Sequence, residues 1–131
     1  CSWFTQGPFL RCSLPSGRCI SYYRPKLQDG RYGMELSYDS GTQGRVSTHG
    51  AKLVENITQA VARDVLAHTL LQLPKDRIVG HVHDEVILLV PEPNGPKALA
   101  ATLEIMGRAP PWCADAPIKA TGWYGRLYKK D

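Results

Sequence analysis

The sequence predicts an α+β fold, in which one long helix and one shorter helix pack on an antiparallel sheet. The first 47 residues are short β-type runs separated by Gly, Pro and Ser, whereas residues 51–73 contain neither Gly nor Pro. Strand-type and helix-type segments follow one another without the regular alternation of parallel βαβ units, which favours antiparallel pairing. A length of 131 residues suits one domain, residues 1–131, or a piece of a larger one.

The composition is that of a globular protein, because hydrophobic residues make up 43% of the chain. No apolar run is long enough to cross a bilayer, and no signal-peptide pattern is present at the start. The net charge of +4 mildly favours a polyanionic partner. The four cysteines lack C-x-x-C and zinc-finger spacing, which favours reduced thiols, although Cys12 and Cys19 could face each other across a hairpin.

Residues 1–47 predict a β-hairpin region with a third strand. Proline donates no hydrogen bond to a ladder, so Arg24-Pro25 is expected to end the second strand. The expected segments are, in order, a strand at 9–14, a turn at 15–17, a strand at 18–23, a strand at 34–38 and an exposed loop at 39–47.

A long helix is predicted over residues 48–73, ending before Pro74. Apolar residues at helical spacing predict a face towards the core, and they are Leu53, Ile57, Ala60, Val61, Val65 and Leu71. A second stripe is polar and consists of Lys52, Asn56, Gln59 and Arg63.

Residues 76–91 predict a second hairpin, in which two apolar runs flank the polar centre His83-Asp84-Glu85. Neighbouring side chains on a single strand point to opposite faces, whereas a turn between two strands can present both carboxylates together. Within residues 96–131 the sequence predicts a short helix at 96–106, a last strand at 118–124 and a basic tail.

The acidic turn suggests a metal site. Mg²⁺ is held by carboxylate oxygens and keeps waters and substrate phosphates as its other ligands, which makes Asp84 and Glu85 candidate metal ligands. The alternative is an ordinary polar turn, which is the commonest meaning of such a pair. A zinc site at His81, His83 and Asp84 is a further alternative, with the two histidines on one face of a strand, but it lacks further ligands.

The polar helix stripe suggests a surface for nucleic acid. Amide side chains such as Asn56 and Gln59 can meet base edges while Lys52 and Arg63 meet phosphates. The alternative is a solvated helix face, the usual meaning of a polar stripe.

Together these segments resemble the family A DNA polymerases of the bacteriophage-type branch. His83-Asp84-Glu85 between apolar strands is similar to the third palm motif of that family. Residues 48–64 resemble its helix segment T-Y-G-G-K-L-V-E-N-I-x-Q-A-x-A-R-D, with His49 and Ala51 in place of the Tyr and Gly. The hairpin before the helix and the end of the chain are similar to the matching parts of those polymerases, so the resemblance covers nearly the whole chain.

The resemblance implies that the chain is a C-terminal palm portion, with a palm-type sheet whose edge carries the acidic hairpin. The family transfers dNTPs to a primer 3′ end with two Mg²⁺ ions. By resemblance, Asp84 would bind a metal ion, Glu85 would place a metal-bound water or the primer end, and His83 would contact the primer terminus.

The resemblance also implies DNA contacts and partners. Gln59, with Asn56 or Lys52 nearby, would follow the minor groove of the nascent base pair. The partners of the complete polymerase are primer-template DNA and dNTP, in the cytoplasm of a bacterial host and without a membrane.

The first palm motif, with its metal-binding Asp, and the fingers helix of the family are absent from these 131 residues. We therefore expect the isolated chain to be catalytically inactive, as a fragment, a degenerate prophage remnant or half of a split gene. Apolar surface left by the missing parts would favour a homodimer. The alternatives in other classes are a non-catalytic nucleic-acid-binding module and a small His/Asp metal hydrolase.

Overall fold

The computed structural model describes residues 1–31 and 33–128. The chain divides into two compact units, residues 1–61 and 62–131, and the long helix contributes to both. The α+β class with an antiparallel sheet is confirmed. No helix in the described part of the chain is long and apolar enough to span a membrane.

The first unit contains a five-stranded antiparallel meander, in which each strand pairs with the next along the chain. Its strands are β1 (Ser2–Gln6), β2 (Phe9–Ser13), β3 (Cys19–Gly30), β4 (Gly33–Asp39) and β5 (Arg45–Thr48). The predicted hairpin and the third strand are confirmed as β2, β3 and β4. Cys12, Leu14 and Tyr22 are buried hydrophobic residues of this unit.

Two strands were not predicted. Every residue of β1 is exposed, so this edge strand lacks the apolar alternation that marks a half-buried strand. The expected loop at 39–47 was wrong from Arg45 onward, because the chain turns back within a few residues and β5 pairs with β4. Gly41 and Gly44 have positive φ angles in this turn, and the Asp39 carboxylate accepts a hydrogen bond from the Gly41 amide at 3.0 Å.

Arg24-Pro25 does not end β3, contrary to the prediction. The register between β3 and β4 shifts between Tyr23 and Lys26, and Arg24 has a φ of 46°. Proline can lie within a ladder at such an irregularity, because the residues there do not have to donate a backbone hydrogen bond to the neighbouring strand. Both terminal nitrogens of Arg45 donate to the Arg24 carbonyl at 3.1 Å, which satisfies an acceptor at the irregularity.

The two cysteines of the first hairpin do not face each other. Cys12 is opposite Ile20, whereas Cys19 is opposite Ser13. Because consecutive residues of a strand alternate between faces, the two thiols lie on opposite faces of the sheet. The juxtaposition that the sequence left open does not occur, and all four cysteines are free thiols.

The long helix, α1, spans Gly50–Gln72. Within the first unit it is attached to the sheet by two hydrogen bonds. The Asn56 amide donates to the Tyr22 hydroxyl at 3.1 Å, and the Arg18 guanidinium donates to the Ala60 carbonyl at 3.0 Å. Burial raises the pKa of Tyr22, and the bond from Asn56 opposes that shift.

The second unit contains the rest of α1, the acidic hairpin and α2. The hairpin strands are β6 (Ile78–Val82) and β7 (Glu85–Leu88), and α2 spans Gly95–Met106 as predicted. Among the described residues β6 and β7 pair only with each other, so the expectation that the hairpin forms an edge of the larger sheet was wrong.

Two further expectations for this unit were wrong. Leu71 is 73% exposed, and Leu66, five residues earlier, is buried instead. Residues 118–124 form no strand, because Gly122 lies against the side chains of Leu99 and Leu103 on α2 instead of pairing with a β-strand. The last three residues of the predicted basic tail lie outside the described part of the chain.

The Tyr22–Asn56 hydrogen bond should stabilise the first unit measurably. We predict that Tyr22→Phe lowers the free energy of unfolding by about 1 kcal/mol, because it removes a partner from a half-buried amide. Tyr23→Phe is the matched control, since the Tyr23 hydroxyl makes no hydrogen bond in the described part of the chain. Equal urea midpoints for the two variants would contradict the prediction.

Candidate functional site

A two-residue turn, His83 and Asp84, joins the strands of the acidic hairpin. Val82 is the cross-strand partner of Glu85, so the ladder continues up to the turn. The register shifts between Ile78 and Gly80 near the other end of β6. The predicted turn between two strands is therefore confirmed, with Glu85 as the first residue of β7.

His83 has a left-handed backbone with a φ of 51°. This conformation costs a non-glycine residue roughly 1–2 kcal/mol, and it lets the chain reverse within two residues. His83 thus belongs to the turn and not to β6. The expectation that His81 and His83 share one face of a strand was wrong.

The two carboxylates of the turn have different environments. Asp84 is exposed, and its side chain makes no hydrogen bond or ion pair with any described residue. Glu85 is half-buried, and its Oε2 accepts a hydrogen bond from the Tyr128 hydroxyl at 3.1 Å. The Asp84 carboxylate is therefore open to solvent, whereas the Tyr128 hydroxyl holds the Glu85 carboxylate.

Tyr128 is a site residue that the sequence did not reveal. Partial desolvation raises the pKa of the Tyr128 hydroxyl, and its hydrogen bond to Glu85 and the charge of Glu85 raise it further. The sequence separation of 43 residues leaves no periodic signal for the contact.

The donor set of the turn fits a hard cation that takes few protein ligands. In the described part of the chain, no group of three His, Cys, Asp or Glu side chains could together hold a metal ion. Mg²⁺ often binds through one or two carboxylates and completes its octahedron with water and substrate phosphates. Asp84 and Glu85 suit that mode better than a closed protein cage.

The zinc alternative gains nothing from the geometry. His81 is exposed, and its Nδ1 lies 3.4 Å from the Arg63 guanidinium, a cation that disfavours a neighbouring metal ion. His81 thus has a neighbour on α1 that explains its position without a metal.

Most of the polar stripe on α1 is engaged within the chain. The Lys52 ammonium pairs with the Glu55 carboxylate at 2.9 Å, and the Gln59 amide donates to the same carboxylate at 3.2 Å. Asn56 is bonded to Tyr22, and Arg63 contacts His81. Lys52 and Gln59 stay exposed, so both can change partners.

Glu55 is a second residue that sequence reasoning left out. It stands three residues after Lys52 and four before Gln59, spacings that place side chains side by side on a helix. That signal was available, and it connects two members of the stripe through one carboxylate.

The strained turn predicts a stability gain on mutation. We expect His83→Gly to raise the free energy of unfolding by up to about 1 kcal/mol, because glycine adopts a left-handed backbone without steric cost. Asp84→Gly is the control, because Asp84 has no positive φ and should only lose stability. Urea denaturation measures the free energy of unfolding of both variants. An equal decrease in the two variants would contradict the prediction.

Comparison with known proteins gives one informative similarity. The chain is 47% identical over 130 aligned residues to a DNA polymerase of Bacillus phage SP02. The alignment covers 93% of this chain, which spans 20% of the length of that polymerase. No protein-family model matches the sequence, and no solved structure matches it significantly. Over nearly its whole length, the chain is thus similar to one fifth of a phage DNA polymerase.

Proposed function

We propose that this chain is the palm portion of a family A DNA polymerase of bacteriophage type, serving template-directed transfer of dNTPs to a primer 3′ end. The observation that carries the proposal is the tight turn with adjacent carboxylates, in a chain 47% identical to part of a phage DNA polymerase. The match of residues 48–64 to a polymerase helix segment supports the same assignment.

Asp84 is the proposed metal ligand of the turn, with Glu85 beside it. Bound Mg²⁺ would neutralise the phosphates and activate the attacking oxygen, as in two-metal phosphoryl transfer. Asp84 suits direct coordination because its carboxylate is exposed and unpaired among the described residues. Glu85 suits the placement of a water or of the primer end because its carboxylate is already oriented by Tyr128.

The proposed DNA contacts come from the turn and from the polar stripe. His83, exposed at the hairpin tip, would contact the primer terminus. Gln59 would meet the minor groove, since its amide can donate to acceptors that all base pairs present there. Lys52 and Arg63 would meet phosphates, whereas Asn56 is bonded to Tyr22 and would help to fix the helix.

We predict that the purified 131-residue chain does not incorporate dNTPs onto a primed template with Mg²⁺. Phosphoryl transfer relies on positioning and charge neutralisation, and the family's other metal-binding Asp is absent from this sequence. A primer-extension gel measures the outcome. Extension that survives repeated purification and is lost in Asp84→Asn would refute the prediction.

A chimera tests the role of Asp84. We predict that the phage SP02 polymerase extends primers when this chain replaces its matching segment, and that Asp84→Asn in the chimera lowers kcat by at least about 100-fold. Asp115→Asn is the control, because Asp115 is exposed and lies outside the hairpin. Equal rates for the two variants would show that Asp84 is no metal ligand.

Measurements of DNA affinity help to distinguish the polymerase proposal from the alternative of a non-catalytic nucleic-acid-binding module. We predict salt-sensitive binding of the chain to primer-template DNA, with Lys52→Gln and Arg63→Gln each reducing the slope of log affinity against log salt by about 1. Lys75→Gln, a change at another exposed lysine, should leave the slope unchanged. Such binding, together with a chimera in which Asp84→Asn has no effect, would favour a non-catalytic module.

A further inference from the structure

The last described segment, residues 122–128, contacts the rest of the second unit through every second residue. Gly122 lies against Leu99 and Leu103, and a methyl group added to it would come within 3.0 Å of Leu99 Cδ1. Gly95, at the start of α2, lies under the Tyr124 ring, where an added methyl group would be 2.9 Å from Cδ2. We call residues 122–128 the C-terminal strap.

The strap continues with two polar contacts. The Arg126 guanidinium donates twice to Glu92 Oε1, at 2.8 and 3.1 Å, and the Tyr128 hydroxyl donates to Glu85 Oε2 at 3.1 Å. The strap therefore follows a path from α2 to the first residue of β7.

The contacting and the intervening residues of the strap are all exposed to solvent. Leu127 is 81% exposed and Trp123 is 42% exposed. Tyr128 is also 49% exposed, so packing alone does not account for its position. Its specific contact is the hydrogen bond to the acidic turn.

We propose that Tyr128 is a positioning residue, which holds the Glu85 carboxylate in the orientation that the metal site of the acidic turn requires. This inference rests on the proposed function, because it assumes that the turn binds a divalent cation. A glutamate side chain has several rotatable bonds, and a bond from a neutral hydroxyl restricts them without neutralising the charge. Oε2 accepts that bond, and Oε1 is left to accept from a metal-bound water.

Charge and chemistry agree with this role. A hydroxyl that donates to a carboxylate favours the ionised acid. Partners of this kind, one bond removed from the metal, commonly change metal affinity by about 10- to 100-fold.

The metal arm of the test compares two hydroxyl deletions in the full 131-residue chain. Mn²⁺ serves as a paramagnetic probe in place of Mg²⁺, and broadening of the amide signals of the hairpin is followed by NMR. We expect that Tyr128→Phe needs a roughly tenfold higher Mn²⁺ concentration to broaden the hairpin signals to half of the full effect, because its metal affinity is lower. Tyr124→Phe should match the wild type, since the Tyr124 hydroxyl makes no hydrogen bond to any described residue. Equal concentrations for Tyr128→Phe and wild type would overturn the inference.

A second arm needs no metal. With tyrosines labelled at Cζ, the Tyr128 signal is identified by its loss in Tyr128→Phe, and its chemical shift is recorded at neutral pH. We expect Glu85→Gln to shift the Tyr128 signal, because it changes the acceptor of the Tyr128 hydroxyl, and to leave the Tyr124 signal in place. A Tyr128 signal that ignores Glu85→Gln would overturn the inference.

The two arms separate the inference from the proposed function. If wild type and Asp84→Asn show the same Mn²⁺ broadening while Tyr128 still responds to Glu85→Gln, the metal role of the turn fails and the positioning role fails with it. If Asp84→Asn abolishes the broadening but Tyr128→Phe does not weaken it, the proposed function stands and only the inference fails.

Discussion

The site depends on a constraint of chain geometry, which is that β6 and β7 are joined by two residues only. Because Val82 and Glu85 are paired, the chain has to reverse at His83 and Asp84, and His83 adopts a left-handed backbone to allow it. Strain of this kind persists only where the surroundings enforce it, and it is concentrated at functional sites. A longer loop would remove the strain but would also let the carboxylates move independently.

On the polar stripe of α1, the charged groups are held weakly. The Lys52–Glu55 pair is about half exposed on both sides, at 51% and 47%, and exposed pairs of this type contribute little to stability. A DNA phosphate can therefore replace Glu55 as the partner of Lys52 at a small cost in free energy. Glu55 is an acidic residue beside the stripe that we propose binds DNA. Because it holds Lys52 only weakly, its presence is compatible with that proposal.

Sequence reasoning captured the features that depend on local pattern. The long helix, α2 and both hairpins follow from apolar periodicity, turn residues and Pro74, and the acidic turn follows from its position between apolar runs. The failures have tertiary causes. The chain passes Pro25 because an irregular register accepts it, β1 is an exposed edge without alternation, and residues 118–124 pack on a helix. Tyr128 reaches Glu85 from far along the chain, which no local pattern encodes.

The close contact at Gly122 has a consequence for how such sites tolerate sequence change. A single methyl group there would leave every titratable and hydrogen-bonding group of the chain intact, yet the side chains of Leu99 and Leu103, at 3.0 and 3.4 Å, would have to shift, or the backbone would have to move away from α2. A backbone displacement there would act on a segment whose polar contacts end at a hydroxyl six residues later. Residues without any chemistry of their own can therefore govern the alignment of a carboxylate, and they escape any search that looks only for reactive side chains.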